Sequence, residues 1–326
     1  MLIFLLRRLF QACVVMTVIS IISFIIQDSL GDPVRQMVGQ SVSPTEIEEI
    51  RQQQGFNDSK FEQYSRYAKN ALQGDFGSSY FYKEPALDVI LKKLPATFEL
   101  AFSAILIIIT ISIPCGIFAA IRPKNILARF LMFSSTIGLS VPIFIVGIFL
   151  LYTFSIELQW TPSFGRGDTV LVFGIWETGF LTLDGLSHLI LPSFSLAIAL
   201  LPMFVRLIRS EMLEVLHSEY VKYAWAKGLS PARIYFVHAF KNTMLPIITI
   251  GGIQVGTLVA YTILTETIFQ WPGMGSLFLD AVNRVDSPLI SAYLMVVGAI
   301  FVISNTLVDL IYGYINPTVK LASHGL

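Results

Sequence analysis

The residues best suited to chemistry in this sequence lie between two long apolar runs, in the segment 206–244. Ser218 can cap a short helix there, Glu219 suits the positive end of the helix dipole, and Gly228 can end the helix at positive φ. The helix carries the aromatic residues Tyr220, Tyr223 and Trp225. Such rigid side chains favour docking into a groove of another protein. The alternative is a helix that rests at the headgroup level of a bilayer.

The remainder of this segment leads into the next apolar run. Ser230 and Pro231 can begin a second helix, as N-cap and first helical residue. Pro246 predicts a kink where the apolar run starts, because proline removes a helical hydrogen bond.

Catalytic and metal sites are not indicated by the sequence. It has no His-Glu-x-x-His pair, no Ser or Cys nucleophile with a nearby His, and no carboxylate pair at working spacing. Cys13 and Cys115 lie in apolar runs and behave as small hydrophobic residues. No Gly-x-x-x-x-Gly-Lys-Ser/Thr loop is present to hold a nucleotide phosphate. The sequence therefore predicts a chain that is not an enzyme and binds no metal or cofactor; if it works with ATP, another chain must supply the ATPase site.

Composition places the chain in a membrane. Of its 326 residues, 54% are hydrophobic and 13% are charged, with a mean hydropathy of +0.69. An average soluble domain has about 25% charged residues. The formal net charge is zero, so a nucleic-acid partner is not indicated. Arg7 and Arg8 precede an apolar run that lacks a cleavage pattern, which favours a retained first helix over a signal peptide.

Six apolar runs are long enough to cross a bilayer, which takes about 20 residues. We therefore expect an all-α integral membrane protein with six transmembrane helices. The predicted spans are 9–26, 97–121, 130–156, 186–205, 245–269 and 289–312.

The distribution of Lys and Arg predicts the orientation, because short cytoplasmic loops are enriched in both. Three basic residues lie between spans two and three and six lie between spans four and five, whereas each later loop on the other side has one. Both termini are therefore expected in the cytoplasm. The expected cytoplasmic parts are 1–8, 122–129, 206–244 and 313–326, and the expected outer parts are 27–96, 157–185 and 270–288.

The outer segment 27–96 is predicted to be a small helical cap. It begins with the turn signal Gly31-Asp32-Pro33, and Ser43 can cap a helix with Pro44 in its first position. A second helix is expected from Lys60 to Leu72. The cap could be a docking surface for a partner; the alternative is a lid over the helix bundle.

Polar residues within or beside the spans are candidates for the transport pathway or its gate. Glu99 and Glu266 lie near outer ends of spans, and the residues after Glu266 suggest a loop that folds back, which Glu266 is expected to hold in place. Gln254 faces either the pathway or a neighbouring helix, and the sequence does not distinguish the two. The candidates are Gln254, Glu266, Trp271 and Pro272.

Several short motifs resemble those of ABC importer permeases, the inner-membrane components of binding-protein-dependent transport systems. Only the Ala of the family's usual Glu-Ala-Ala triplet is kept, at Ala224, and the spacing from Gly228 to Pro246 is longer than the general form. Both departures resemble the dipeptide, oligopeptide and nickel branch. The resemblance covers nearly the whole chain and rests on Arg7-Arg8-Leu9, Gly31-Asp32-Pro33, Gly74-Asp75-Phe76-Gly77, the run 94–100, the run 190–192, the run 206–210, the run 223–229, the run 265–275 and Asn316-Pro317.

The resemblance implies the type I ABC importer permease fold in a bacterial inner membrane. It implies three kinds of protein partner: a second homologous permease, two ATP-binding cassette subunits that use ATP and Mg, and a periplasmic solute-binding protein. It also implies that the short helix sits in a groove of the ATPase. The coupling residues are then Glu219, Tyr220, Lys222, Tyr223, Ala224, Trp225, Ala226, Lys227, Gly228 and Leu229.

The cargo implied by this branch is a di- or oligopeptide, with a chito-oligosaccharide, glutathione, a nickel chelate or haem as alternatives. A different class, the ion-coupled secondary transporter, commonly shows internal repeats and charges at mid-span. Neither is evident in this sequence.

Overall fold

The computed structural model describes residues 2–29, 44–53, 57–174 and 176–315. The predicted turn at Gly31, the predicted cap at Ser43 and residues 316–326 of the predicted tail lie outside these ranges. The helix expected after Ser43 does begin at Pro44.

Long helices dominate the described residues, as the apolar runs predict. They are α1 (Leu2–Ser29), α2 (Pro44–Gln53), α3 (Lys60–Leu72), α4 (Ala86–Ile121), α5 (Ile126–Gly138), α6 (Ile143–Leu150), α7 (Leu183–Leu216), α8 (Glu219–Ala226), α9 (Pro231–Arg233), α10 (Phe240–Ile268), α11 (Met274–Asn283) and α12 (Ser287–Ile315). A π-helical segment, Leu151–Glu157, continues α6, and another, Ile234–Ala239, joins α9 to α10.

Five stretches of helix in the described ranges are long and apolar enough to cross a membrane, and a bent pair would make a sixth. The bent pair, Ile126–Gly138 and Ile143–Glu157, covers the predicted span 130–156, with an angle of 110° between its parts. Pro142 has extended backbone at the N-cap of α6. Since proline cannot donate a helical hydrogen bond and disfavours helix in the preceding residue, the break lies where Pro142 requires it.

The chain divides into two compact units. The first comprises Met1–Thr97 and Pro272–Ile303, and the second comprises Phe98–Trp271 and Ser304–Leu326.

In the first unit, α3 lies against α1 through polar and aromatic contacts. Ser59 caps α3 in a capping box with Glu62, which fixes the helix start where the sequence predicts it. The hydroxyl groups of Ser20 and Tyr64 are 2.8 Å apart, and Tyr67 donates to Ser23 over 3.1 Å. These bonds hold the predicted cap helix on the first apolar helix.

A buried carboxylate, Asp286, organises the other part of the first unit. Its Oδ2 accepts a hydrogen bond from the Ser79 hydroxyl at 2.5 Å and one from the Phe81 amide at 3.3 Å. Burial, and next the charge of Asp286, raises the pKa of Tyr80 to about 12. The segment before α4 is thereby joined to the start of α12.

The second unit is built around α7, which packs on α5, α6 and α10. Small residues allow close approach at two points. A Cβ placed on Gly116 of α4 would lie 2.6 Å from Cγ2 of Ile208, and one on Gly252 of α10 would overlap Val308. Gly116 and Gly252 therefore permit close helix packing in this unit.

The loop 157–185 contains a small hairpin that the sequence analysis did not predict. Strands β1 (Val170–Val172) and β2 (Trp176–Thr178) pair antiparallel, with Val170 opposite Thr178. Three-residue strands give too short an alternation of polar and apolar residues to stand out in a sequence.

Candidate coupling site and transport cavity

The short helix α8 has the predicted bounds at both ends. Ser218 occupies the N-cap position, but its hydroxyl donates to the carbonyl of Val215 over 2.7 Å and does not cap α8, contrary to the expectation. Gly228 follows the helix with φ +71° and has open space around its α-carbon. The exit from α8 therefore needs the conformational freedom of glycine and not its small size.

One face of α8 is buried against its own chain. Val221 and Ala224 form an apolar cluster with Ile234, and Leu229 packs against it. Ala224 and Leu229, two of the predicted coupling residues, therefore fix the position of α8. Val221 was missed as a site residue, although its spacing of three from Ala224 is that of a single helix face.

The aromatic residues predicted from the sequence are exposed beside the buried face of α8. Tyr223 is 62% exposed and Trp225 is 43% exposed. The Trp225 ring meets Tyr235 edge-on at 6.1 Å between centroids, and Lys227 Nζ lies 4.6 Å from the centroid of the Tyr223 ring. These contacts hold exposed rings in place, which lowers the entropy cost of binding a partner.

Two polar contacts involve other residues of α8. The Tyr220 hydroxyl lies 2.6 Å from Nδ1 of His238, which ties the start of α8 to the π-helical segment before α10. Lys222 Nζ donates to Glu219 over 2.7 Å one turn away. The first of these contacts joins α8 to the segment that precedes α10. That the exposed residues of α8 contact an ATPase stays a prediction.

A cavity of about 370 Å³ lies in the second unit between α4, α7, α10 and α12. Its lining is almost wholly apolar, and Gln254 and Ser112 are the polar side chains among the lining residues. The structure therefore places Gln254 on a cavity between helices; that it lies on the transport pathway stays a prediction. Gly251 lies beside it on the same lining.

Glu266 and Trp271 come together at the end of α10. Both are fully buried, and the Trp271 amide donates to the Glu266 carbonyl over 2.8 Å. The Gly165 amide donates to the Phe269 carbonyl over 2.9 Å, so the loop before α7 meets this turn. Pro272 follows in the first unit and is exposed. Gln254 is 12 residues before Glu266, which is about 18 Å along a helix, so the gate candidates do not form one cluster.

Glu99 has a buried partner that the sequence analysis did not identify. Its Oε2 accepts from Nε of Arg166 at 2.9 Å, and its Oε1 accepts from the Gly179 amide at 2.8 Å. Arg166 also donates to the Glu177 carbonyl over 2.7 Å. The pair joins the loop 157–185 to α4. This structural role explains why the Glu99 carboxylate is buried.

Metal-ligating side chains do not cluster within the described ranges: no three His, Cys, Asp or Glu residues there are arranged to hold an ion.

Comparison with known proteins agrees with this arrangement. Residues 112–321 match the family described as binding-protein-dependent transport system inner membrane component, and residues 1–101 match the N-terminal component of the same kind. A di/tripeptide transport system permease protein DppB of Pseudomonas aeruginosa is 39% identical over 304 residues, which are 89% of this chain and 90% of the relative. An oligopeptide transport system permease protein AppB of Bacillus subtilis is 34% identical over 97% of this chain and 99% of its own length.

The fold has a solved counterpart. A chain of the MetNI methionine ABC transporter, in an inward-facing conformation, superposes with a TM-score of 0.54 over 70% of this chain and 96% of its own, at 14% identity. At that identity the likeness concerns the fold alone. The expected fold class, the type I ABC importer permease fold, is confirmed, and so are the multi-pass architecture and the bacterial inner membrane as its location. The chain belongs to the family of inner-membrane components of binding-protein-dependent transport systems.

Proposed function

We propose that this chain forms half of the translocation pathway of an ATP-driven peptide importer and that α8 couples the pathway to an ATPase. The observation that carries the proposal is that α8 is anchored and yet exposes aromatic rings. Val221 and Ala224 pack on Ile234, while Tyr223 and Trp225 are exposed and held in place by contacts with Lys227 and Tyr235. A helix built in this way can transmit a push from a partner into α7 and α10.

The partners follow from the family and from what this chain lacks. Two ATP-binding cassette subunits supply the ATP and Mg site, since this sequence has no phosphate-binding loop. A second homologous permease supplies the other half of the pathway, and a periplasmic solute-binding protein delivers the cargo. The family description, which names dependence on a binding protein, supports the last of these.

Di- or oligopeptides are the proposed cargo. The support comes from relatives in three organisms that are 34–39% identical to this chain and are named as permeases for di/tripeptides, dipeptides or oligopeptides. The cavity beside Gln254 suits the apolar side chains of such cargo, with one amide able to pair with a peptide group.

Retention of the ATPase in the purified complex tests the coupling role. Trp225→Ala removes an exposed ring from α8, and Trp160→Ala removes a ring that is 68% exposed in the loop 157–185. We expect the first variant to lose ATPase subunits during purification and the second to keep them. Equal retention in both variants would favour the headgroup-level interpretation of α8.

Binding and uptake measurements test the cargo. The cognate solute-binding protein is titrated with labelled dipeptides and tripeptides, and with chito-oligosaccharide, glutathione and a nickel chelate as competitors. ATP-dependent uptake of the bound solute into vesicles that contain the complex is then measured. Tight binding and uptake of peptides support the proposal, whereas selective binding of a non-peptide solute would overturn the cargo assignment and leave the coupling role standing.

A further inference from the structure

Three arginine residues line a second cavity in the same unit as α8. The cavity has a volume of about 350 Å³ and lies between the end of α4, the start of α5 and the second half of α7. Arg129, Arg206 and Arg209 contribute its charges, and no Asp or Glu is among the lining residues. The predicted function of the chain uses none of these arginines.

Local sequence accounts for the convergence of the three side chains. Arg206 and Arg209 are three residues apart on α7, so they share a face. Asn125 caps α5 by accepting the Leu127 amide at 2.8 Å, which places Arg129 in its first turns. Gly116 lets α4 approach Ile208, between the two arginines of α7, and brings the end of α4 to the same place.

The charges in this cavity are not neutralised by the part of the chain that the structure describes. None of the three guanidinium groups lies within 4.0 Å of a described carboxylate, whereas Arg166 in the same unit does. Guanidinium groups keep their charge and offer several donors in a plane, which suits the oxygens of a phosphate. Like charges gathered without an acidic partner indicate a site for an anion.

The position of the cavity along α7 indicates what kind of molecule carries that anion. Arg206 is 20 residues after Leu186, where the predicted span starts. Twenty residues extend about 30 Å along a helix, which matches the thickness of the hydrocarbon core. The neighbouring surface of α5 is apolar, with Phe130 62% and Phe133 64% exposed. A basic recess at the edge of the hydrocarbon layer beside exposed apolar side chains matches a molecule with a phosphate at one end and acyl chains at the other.

We propose that this cavity binds the phosphate group of an anionic phospholipid from the leaflet that faces α8. Charge complementarity selects an acidic headgroup over a zwitterionic one, because the latter brings its own cation into an already basic recess. The bound lipid joins the end of α4 and the start of α5 to α7, which leads directly into α8. The proposal is independent of the cargo.

Lipid titration of the intact complex tests this site. The delipidated complex is titrated separately with phosphatidylglycerol and phosphatidylcholine, and lipid adducts are counted by native mass spectrometry. The double variant Arg206→Gln with Arg209→Gln should raise the dissociation constant of the first phosphatidylglycerol adduct about thirtyfold. The matched control, Arg233→Gln with Lys241→Gln, removes two charges from the same segment outside the cavity and should leave that constant unchanged.

Further measurements distinguish the proposed lipid from a soluble anion and from nonspecific lipid binding. Arg129→Gln tests the site from another helix and should weaken phosphatidylglycerol binding about fivefold, which keeps the proposal testable if the double variant does not assemble. Excess inorganic phosphate should fail to displace the lipid. Displacement by phosphate would show a site for a soluble anion and overturn the lipid assignment. Equal loss in the cavity and control variants, or equal binding of both lipids by the unaltered chain, would overturn it as well.

Discussion

Arg166 and Glu99 form a buried ion pair across 67 residues of sequence, with Nε and Oε2 2.9 Å apart. Arg166 is 8% exposed and Glu99 is 1% exposed, and both make further hydrogen bonds to the backbone of the loop 157–185. This pair converts a loop of 29 residues, predicted only as an outer connection, into a fixed extension of α4 and α7.

Breaking this pair from one side should destabilise the second unit. Arg166→Met leaves the Glu99 carboxylate buried without its cation, which costs about 3–5 kcal/mol. The free energy of unfolding of the purified complex in mild detergent measures the loss. Lys92→Met is the control, because it breaks an ion pair whose side chains are 65% and 50% exposed, and no measurable change is expected. Similar loss in both variants would contradict the role assigned to Arg166.

Substitution of Gly228 should uncouple transport without preventing membrane insertion. Its φ of +71° is costly for other residues, by about 1–2 kcal/mol, and most of all for a β-branched residue. Gly228→Val should therefore displace α8 and lower cargo-stimulated ATP hydrolysis in vesicles. Gly228→Asn is the matched variant, since Asn tolerates this conformation and the site has open space. Equal stimulation in Gly228→Val and the unaltered chain would count against the coupling role.

The apolar base of α8 should control the stability of that helix alone. Ile234 is fully buried beneath Val221 and Ala224, so Ile234→Ala should cost about 2–5 kcal/mol locally. Hydrogen exchange of the amides of α8 in the intact complex should become faster, while exchange in α7 is unchanged. Phe236→Ala, at a side chain that is 58% exposed, serves as the control and should leave exchange in α8 unaltered. Slow exchange after Ile234→Ala would show that the cluster is not what holds α8.

Because Gly116 packs closely on Ile208, the loss of stability on substituting Gly116 should depend on the side chain at position 208. A Cβ at Gly116 would lie 2.6 Å from Cβ and Cγ2 of Ile208, so Gly116→Ala forces the two helices apart and should cost about 1–3 kcal/mol. The double variant Gly116→Ala with Ile208→Ala should lose less unfolding free energy than the sum of the single variants. Strict additivity would show that the two residues do not share this contact.

Much of the helical architecture was predictable because it follows from local sequence. Run length predicted the long helices, and the helix predicted from Lys60 to Leu72 has those bounds in α3. Gly228, with φ +71°, ends α8 as its sequence signal predicts. These features depend on residues within a few positions of one another, for which periodicity, capping and turn preference are direct signals.

Features that depend on distant residues were not predictable in the same way. Nothing near Glu99 in sequence indicates Arg166, and the burial of Ala224 depends on Ile234 beyond the turn at Gly228. The break at Pro142 does have a local signal in the proline itself, but the apolar run continues through it and hides the change of direction. Tertiary packing decided the first two of these features, whereas the break follows from Pro142 itself.

Cross-linking of α8 tests most directly the claim that it contacts the ATPase. Cys13 and Cys115 are replaced by alanine, and single cysteines are introduced by Tyr223→Cys on α8 and by Trp160→Cys in the loop 157–185. A photoreactive maleimide is then attached in the assembled complex. The account predicts an adduct with the mass of the permease plus one ATPase subunit from position 223 and none from position 160. Absence of that adduct at 223, or adducts of equal yield at both positions, would contradict it.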